Sequence, residues 1–333
     1  AGGQRSTKET ELEKIRELPT IVDEVLKYRG LRKLLGTYIE AIPPLLDSED
    51  ILHAQFLQTG AVTGRMASQN PGLQNIPIRT EQGRAIRSAF IPRKGYTLVG
   101  LDYSQIELRI AAILSGDEKL CEIFSSGRDV HTEVASRVLG VAAKDVDREM
   151  RRRAKIINFG ILYGMGVNAL KTQLGTSIGE AQQYLEDYFT TFSRLKEYLE
   201  ETKGFARKNG YTETLFGRRR QFPEMKSPMA YVRAQAERMA INAPIQGTQS
   251  DVIKLAMVRI DAWLKDLGAR ADAHLLLQVH DELVYEVKTG RVEEIARGIE
   301  DIMEGVLTEE QRNGVPILAE WKSGKDWGSM QSV

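Results

Sequence analysis

The apolar positions of this chain change rhythm along its length. Ser6 followed by Glu9 has the spacing of a capping box and predicts a first helix. Pro19 suits a first helical turn and opens a second one, carrying Ile21, Val22, Val25, Leu26 and Leu31 and ended by Pro43-Pro44. Leu52, Ala54 and Phe56 alternate with polar neighbours, as a half-buried strand does. Thr63 to Ile78 is rich in Gly, Ser, Asn and Pro and reads as a long loop, a kind of segment that is often functional. Tyr96 to Leu101 is predicted as a buried strand and Ser104 to Leu114 as a helix closed by Gly116. From Asp129 to Phe205 the spacing is mostly helical, and Tyr211 to Phe216 reads as a short hairpin arm. Met229 to Leu267 is helical with a break expected near Pro244. His274 to His280 and Leu283 to Val287 are two apolar strands meeting at His280-Asp281-Glu282, followed by a helix (Val292 to Val306) and a strand (Ile317 to Trp321).

Strands thus flank a long helical stretch, which predicts an α+β sheet domain interrupted by an all-helical one. No repeat with a period of roughly 20–50 residues is present, so a solenoid is not expected. With 333 residues the chain should divide into two or three subdomains. Hydrophobic residues make up 42% and charged ones 28%, the balance of a globular protein, and no run reaches the about 18 apolar residues of a membrane span. Ala1 to Arg16 is polar and charged, unlike a signal peptide. The single cysteine, Cys121, fits a reducing compartment and is expected to pack rather than react. These features point to a cytoplasmic protein with no membrane partner. Lys plus Arg and Asp plus Glu are 46 each, a neutral balance that weighs mildly against nucleic acid. The charge is nevertheless uneven, with basic triplets at Arg151 to Arg153 and Arg218 to Arg220.

Asp102 ends a buried strand, and Asp281 ends another. Carboxylates at such positions are costly unless paired or bound to a cation. A converging pair would hold two divalent cations roughly 4 Å apart for phosphoryl transfer. Spacing alone equally allows a helix cap at Asp102 and an Asx-type hairpin residue at Asp281. Glu107 lies three residues after Ser104, so it could simply complete a capping box. Arg151, Lys155, Phe159 and Tyr163 recur every four residues and would form one slanting helical stripe. Two cations followed by two rings would suit a nucleotide, and a surface helix with an aromatic end would look the same. Arg238, Asn242 and Gln246 repeat that spacing and could face a DNA minor groove or solvent.

Other chemistries find less support. His53, His131, His274 and His280 lack zinc-ligand spacing, and no G-x-x-x-x-G-K-[ST] phosphate loop occurs. Gly164-Met165-Gly166 through Ala169 matches a dinucleotide fingerprint, with Glu186 about 20 residues on. The preceding stretch continues a charged helix from Asp147, and no apolar strand leads to Glu186, so a nicotinamide-dependent enzyme is set aside.

Three strings, in order, resemble the motifs of family A DNA polymerases. They are Asp102-Tyr103-Ser104-Gln105-Ile106-Glu107-Leu108-Arg109, then Arg151-x-x-x-Lys155-x-x-x-Phe159-x-x-x-Tyr163-Gly164, then Gln278-Val279-His280-Asp281-Glu282. Thr63-Gly64-Arg65, Leu73 to Pro77, Asp129-Val130-His131-Thr132 and Glu213 to Arg220 support them, and the resemblance runs from about Arg5 to Trp327. It implies a right-hand architecture: an antiparallel-sheet palm (46–115 and 215–333), an inserted all-helical fingers subdomain (116–214) and a thumb remnant (1–45). It implies a monomer that binds primer-template DNA and dNTPs and uses two Mg²⁺ ions. Asp102, Asp281 and the Tyr103 carbonyl would ligate metal. Arg151 and Lys155, with His131 assisting, would hold the triphosphate. Glu107 would act as a steric gate against a 2′-hydroxyl, with Gln105 also at the substrate. Phe159 would lie along the sugar, and Tyr163 at the template position. Arg65, Asn75, Arg238, Asn242, Gln246 and His280 would contact DNA, and Glu282 would support the metals. The thumb helices of the family should precede Arg5. A DNA-binding fragment inactive without its thumb is therefore the alternative.

Overall fold

The computed structural model describes residues 6–8, 11–12, 15, 21–78 and 80–332. The capping box at Glu9 and the helix start at Pro19 fall outside these residues. The chain divides into two units, one of residues 1–57, 67–91 and 326–329, the other of 58–66, 92–325 and 330–333.

In the smaller unit, α1 (Ile21–Leu34) runs into a π-helical turn and a short 3-10 turn at Pro43–Leu45. Strands β1 (Gln55–Leu57) and β2 (Ala67–Gln69) pair antiparallel, so a short strand lies within the stretch expected to be loop. Helix α2 (Glu81–Arg87) starts at Thr80, whose hydroxyl accepts from Gly83 N at 3.1 Å. Trp327 anchors this unit. Its ring meets Phe90 edge-on at 5.7 Å and carries the Arg87 guanidinium at 4.1 Å.

The larger unit is built on β3 (Tyr96–Tyr103), whose segment Leu98 to Leu101 is fully buried. The helical stretch follows as α3 (Ile106–Ser115), α4 (Glu118–Ser125), α5 (Val130–Leu139), α6 (Arg148–Leu162), α7 (Val167–Leu174), α8 (Ile178–Thr191) and α9 (Ser193–Asn209). Its starts are encoded locally. Asp117, Asp129, Asp147 and Ser177 each accept a backbone N–H of the first turn, and Ser177 completes a capping box with Glu180. Strands β4 (Tyr211–Glu213) and β5 (Arg219–Gln221) form the expected hairpin arm.

Helix α10 (Ala230–Asp266) runs unbroken through Pro244. The break expected there is absent because Ala240, Ala243, Pro244, Ile245 and Gly247 are all buried. Packing of the flanking turns, including Phe222 against Ala240 and Ala243, offsets the missing backbone bond. Strands β6 (Ala273–Val279) and β7 (Glu282–Lys288), helices α11 (Val292–Glu304) and α12 (Glu309–Arg312), and strands β8 (Ala319–Gly324) and β9 (Gln331–Ser332) complete the unit. Five strands form one sheet in the order β6-β7-β3-β8-β9, every pair antiparallel. The fold is α+β, with strands on both sides of the helical run in sequence. Among the described residues no helix is long and apolar enough to cross a membrane.

Candidate active site

Register brings the two motif aspartates to one end of the sheet. Asp102 pairs with Glu282 across β3 and β7, and Tyr103 N–H donates to Asp281 O at 3.2 Å. His280 turns the hairpin with φ of 55°, and Gln278 Nε2 donates to its carbonyl at 2.6 Å. A Cβ at Gly100 on the central strand would lie 2.9 Å from Glu282 Oε1 and 2.8 Å from Met330 Cε, so a larger residue there would have to displace those side-chain ends. Buried Arg109 fixes the turn after Tyr103 by donating to Ser104 O at 2.8 Å and Pro316 O at 2.6 Å.

The charges at this end are under strain. Crowding by protein atoms, then the charges of Asp281 and Glu282, push the Asp102 carboxyl up to about 7, with Lys322 opposing. Asp102 keeps a solvent-exposed edge, so water screens part of this repulsion. Asp281 is also raised, chiefly by burial, with Glu107 adding to it and His280 and Arg65 opposing. No group of three or more His, Cys, Asp or Glu forms a metal cage among the described residues. Two carboxylates kept from ionising freely at one end of the sheet are instead hard oxygen donors. That set fits Mg²⁺, which binds through one or two carboxylates and keeps water and substrate oxygens.

Glu107 is buried in the first turn of α3. It does not cap that helix: Gln105 is the N-cap, in a left-handed conformation, with no side-chain cap bond. The capping-box alternative therefore falls. The carboxylate accepts instead from Arg65 Nη2 at 2.6 Å and from the Tyr163 hydroxyl at 2.7 Å. Arg65 Nη2 also donates to Gln249 Oε1 at 2.6 Å. Burial, with the Glu107 charge, pushes the Tyr163 phenol up to about 12, so it remains a donor.

Helix α6 carries Arg151, Lys155 and Phe159, and Tyr163 is its C-cap. Arg151 and Lys155 are exposed and Phe159 is half-buried. Behind them His131 is buried, its ring 6.0 Å from that of Phe159. Asn158 Nδ2 donates to His131 Nδ1 at 3.1 Å, which leaves the ring proton on Nε2. Burial, helped by Lys155 and Arg151 and opposed by Asp129, lowers the His131 pKa to about 4. An unfolded histidine takes its proton near pH 6.5, so stability is lost as pH falls from about 6.5 to 4. His131→Gln should remove up to about 3 kcal/mol of that acid loss. Urea midpoints at pH 7 and pH 4.5 check it, and an unchanged pH dependence would contradict the assignment.

Arg238, Asn242 and Gln246 all lie on α10. Gly164, left-handed at φ 64°, packs on Arg238, where a Cβ would meet Cβ of that arginine at 3.0 Å. Asn242 Oδ1 is buried with no hydrogen-bond partner. Asn75 is exposed in the smaller unit, at the end of a 3-10 turn. The dinucleotide fingerprint fails on structure, since helix α6 and not a strand precedes Gly164.

Sequence reasoning missed Gln249, Asn158 and Asp129 as site residues. Gln249 lies three residues after Gln246, and Asn158 three after Lys155, so each was within reach of the motif helices.

The family model for DNA polymerase family A matches residues 1–329. This chain belongs to DNA polymerase family A. It is 48% identical over 326 residues to the thermostable DNA polymerase I of Thermus aquaticus, and 44% identical to DNA polymerase I of Deinococcus radiodurans. Each match covers 98% of this chain but only 38% and 33% of those proteins. A solved family structure, the POL domain of Pol1 from M. smegmatis in complex with DNA primer-template and dNTP, matches with a TM-score of 0.91 at 40% identity. That match covers 98% of this chain and 57% of the solved one.

Proposed function

We propose that this chain performs template-directed DNA synthesis, joining a dNTP to a primer 3′-hydroxyl with release of pyrophosphate. The observation that carries this reading is the meeting of Asp102 and Asp281 at one sheet end, in a protein whose α6 presents Arg151 and Lys155. Asp102, Asp281 and the Tyr103 carbonyl would hold two Mg²⁺ ions, which when bound stabilise charge on the attacking and leaving oxygens. Lys155 and Arg151 bind the triphosphate by charge, and His131 offers a neutral Nε2–H donor to it. Glu107, clamped by Arg65 and Tyr163, walls the sugar. Arg65, Arg238, Asn242, Gln246 and His280 face the primer-template, with Asn75 on the smaller unit also a DNA contact. Asn242, half-buried on α10, would offer its amide N–H to minor-groove acceptors. Catalysis is then mostly positioning and electrostatics. The reading is of a monomeric, cytoplasmic enzyme.

Primer extension by this chain with Mg²⁺ and four dNTPs tests it. Extension supports the reading. Binding of primer-template without extension favours the alternative of a fragment inactive by itself, which the short coverage of its relatives keeps open.

Phe159 sharpens substrate choice. A phenyl ring cannot replace a missing 3′-hydroxyl, so dideoxynucleotides should be poor substrates. Phe159→Tyr should raise ddTTP use relative to dTTP by about 10- to 100-fold, the worth of one hydrogen bond to a charged group. Equal discrimination in the two proteins, read from single-nucleotide incorporation rates, would refute the placement.

A further inference from the structure

Arg151 already has one edge of its guanidinium occupied. Its Nε donates to Asp129 Oδ2 at 2.9 Å and its Nη2 to Asp129 Oδ1 at 2.8 Å. These two parallel bonds use one bidentate edge of the guanidinium, an edge that also matches a phosphate. Lys155, one turn along α6, has no carboxylate partner among the described residues. Arg152 and Arg153 are both tied to Glu149. One of the two expected phosphate cations is therefore open, and the other is already holding an anion.

We infer that Asp129 is an internal anion that closes the Nε/Nη2 edge of Arg151 in the nucleotide-free protein, so that a triphosphate must displace a carboxylate to be gripped through that edge. This rests on the nucleotide reading of α6. Asp129 is suited to the exchange because it does not depend on Arg151. It caps α5, accepting from Thr132 N at 2.8 Å and Thr132 Oγ1 at 2.6 Å. When Arg151 swings out, both of those donors remain, and the half-exposed carboxylate can take water. Against the opposing effect of burial, Arg151 and Thr132 hold its pKa well below the usual carboxylate range, so it stays charged at working pH. The contact thus sets a threshold. A ligand must offer enough charge to outbid one carboxylate, which favours a triphosphate over a monophosphate.

The test exploits the separation between cap and ion pair. Asp129→Asn keeps a good N-cap and removes the charge. Asp129→Ser also caps but is too short to reach Arg151. Glu149→Gln is the control, removing an equal charge from Arg152 and Arg153 instead. Affinities for dTTP and for inorganic tripolyphosphate are measured by calorimetry without DNA, with primer-template affinity measured separately. Both Asp129 variants should bind both ligands about two- to fivefold tighter, the gain expected from removing one half-exposed competing pair. Glu149→Gln should bind as the parent does, and primer-template affinity should not move. Unchanged or weaker ligand binding in both Asp129 variants would overturn the inference and make Asp129 a positioning residue for Arg151. An equal gain in Glu149→Gln would overturn it in favour of bulk charge. Primer extension by the parent chain is scored separately: extension without a gain in the variants sinks only this inference, whereas a gain without extension sinks polymerisation.

Discussion

Asp281→Asn should give a folded protein that extends primers at least about a thousandfold more slowly, since removing a metal-holding carboxylate forfeits several kcal/mol of charge stabilisation. The same change should stabilise the metal-free protein. Asp102 and Asp281 both have carboxyl pKa values raised above those of an unfolded chain. As pH rises from about 4 to 7 the unfolded state therefore gives up its protons first, and the folded state becomes relatively less stable. The deficit is complete above about pH 7, where Asp102 has ionised in the folded state. Replacing Asp281 by a neutral isostere removes one half-buried charge and one source of repulsion on Asp102. The variant should melt above the parent at pH 8 in EDTA, lose that advantage at pH 4, and lose part of it when millimolar Mg²⁺ stabilises the parent. Near-parental turnover would end the metal assignment. A lower melting point at pH 8 in EDTA would end the electrostatic account while leaving the catalytic one standing.

The elements that position this site were legible in sequence because they are locally encoded. The apolar run at Tyr96 and the hairpin at His280-Asp281-Glu282 each declare themselves within a few residues. Pro244 misled because its local cost is real and only tertiary burial offsets it. Partners distant in sequence were invisible. Arg65 and Gln249 are separated by 184 positions, and Arg151 and Asp129 by 22. No period or cap signal links such pairs. Asp129 was read only as part of a supporting string, and the structure adds that it caps α5. Its second role depends on how α5 packs against α6, which spacing does not determine. Glu107 shows the reverse case: a spacing that looked local proved to serve contacts with Arg65 and Tyr163.

Those contacts make Glu107→Ala the other large effect. Selectivity for dNTPs over rNTPs should fall about 10- to 100-fold, because a site rejects an added hydroxyl only as firmly as its wall is fixed. The wall here cannot swing aside. One carboxylate oxygen is held by Arg65 and the other by the Tyr163 hydroxyl, and Gln249 secures Arg65 in turn. Truncation opens the volume and leaves Arg65 with only Gln249. It should also cost about 1–3 kcal/mol of stability, below the figure for a fully buried pair because Arg65 keeps some solvent contact. Glu107→Gln separates bulk from charge. It preserves the volume and can still accept from Arg65 or Tyr163, so a steric wall predicts nearly parental selectivity. Incorporation of rNTPs and dNTPs by the three proteins on one template decides the matter. If Glu107→Ala discriminates as the parent does, the residue is a structural tie between α3 and the end of α6. If Glu107→Gln relaxes selectivity as far as Glu107→Ala, charge rather than bulk excludes the ribose.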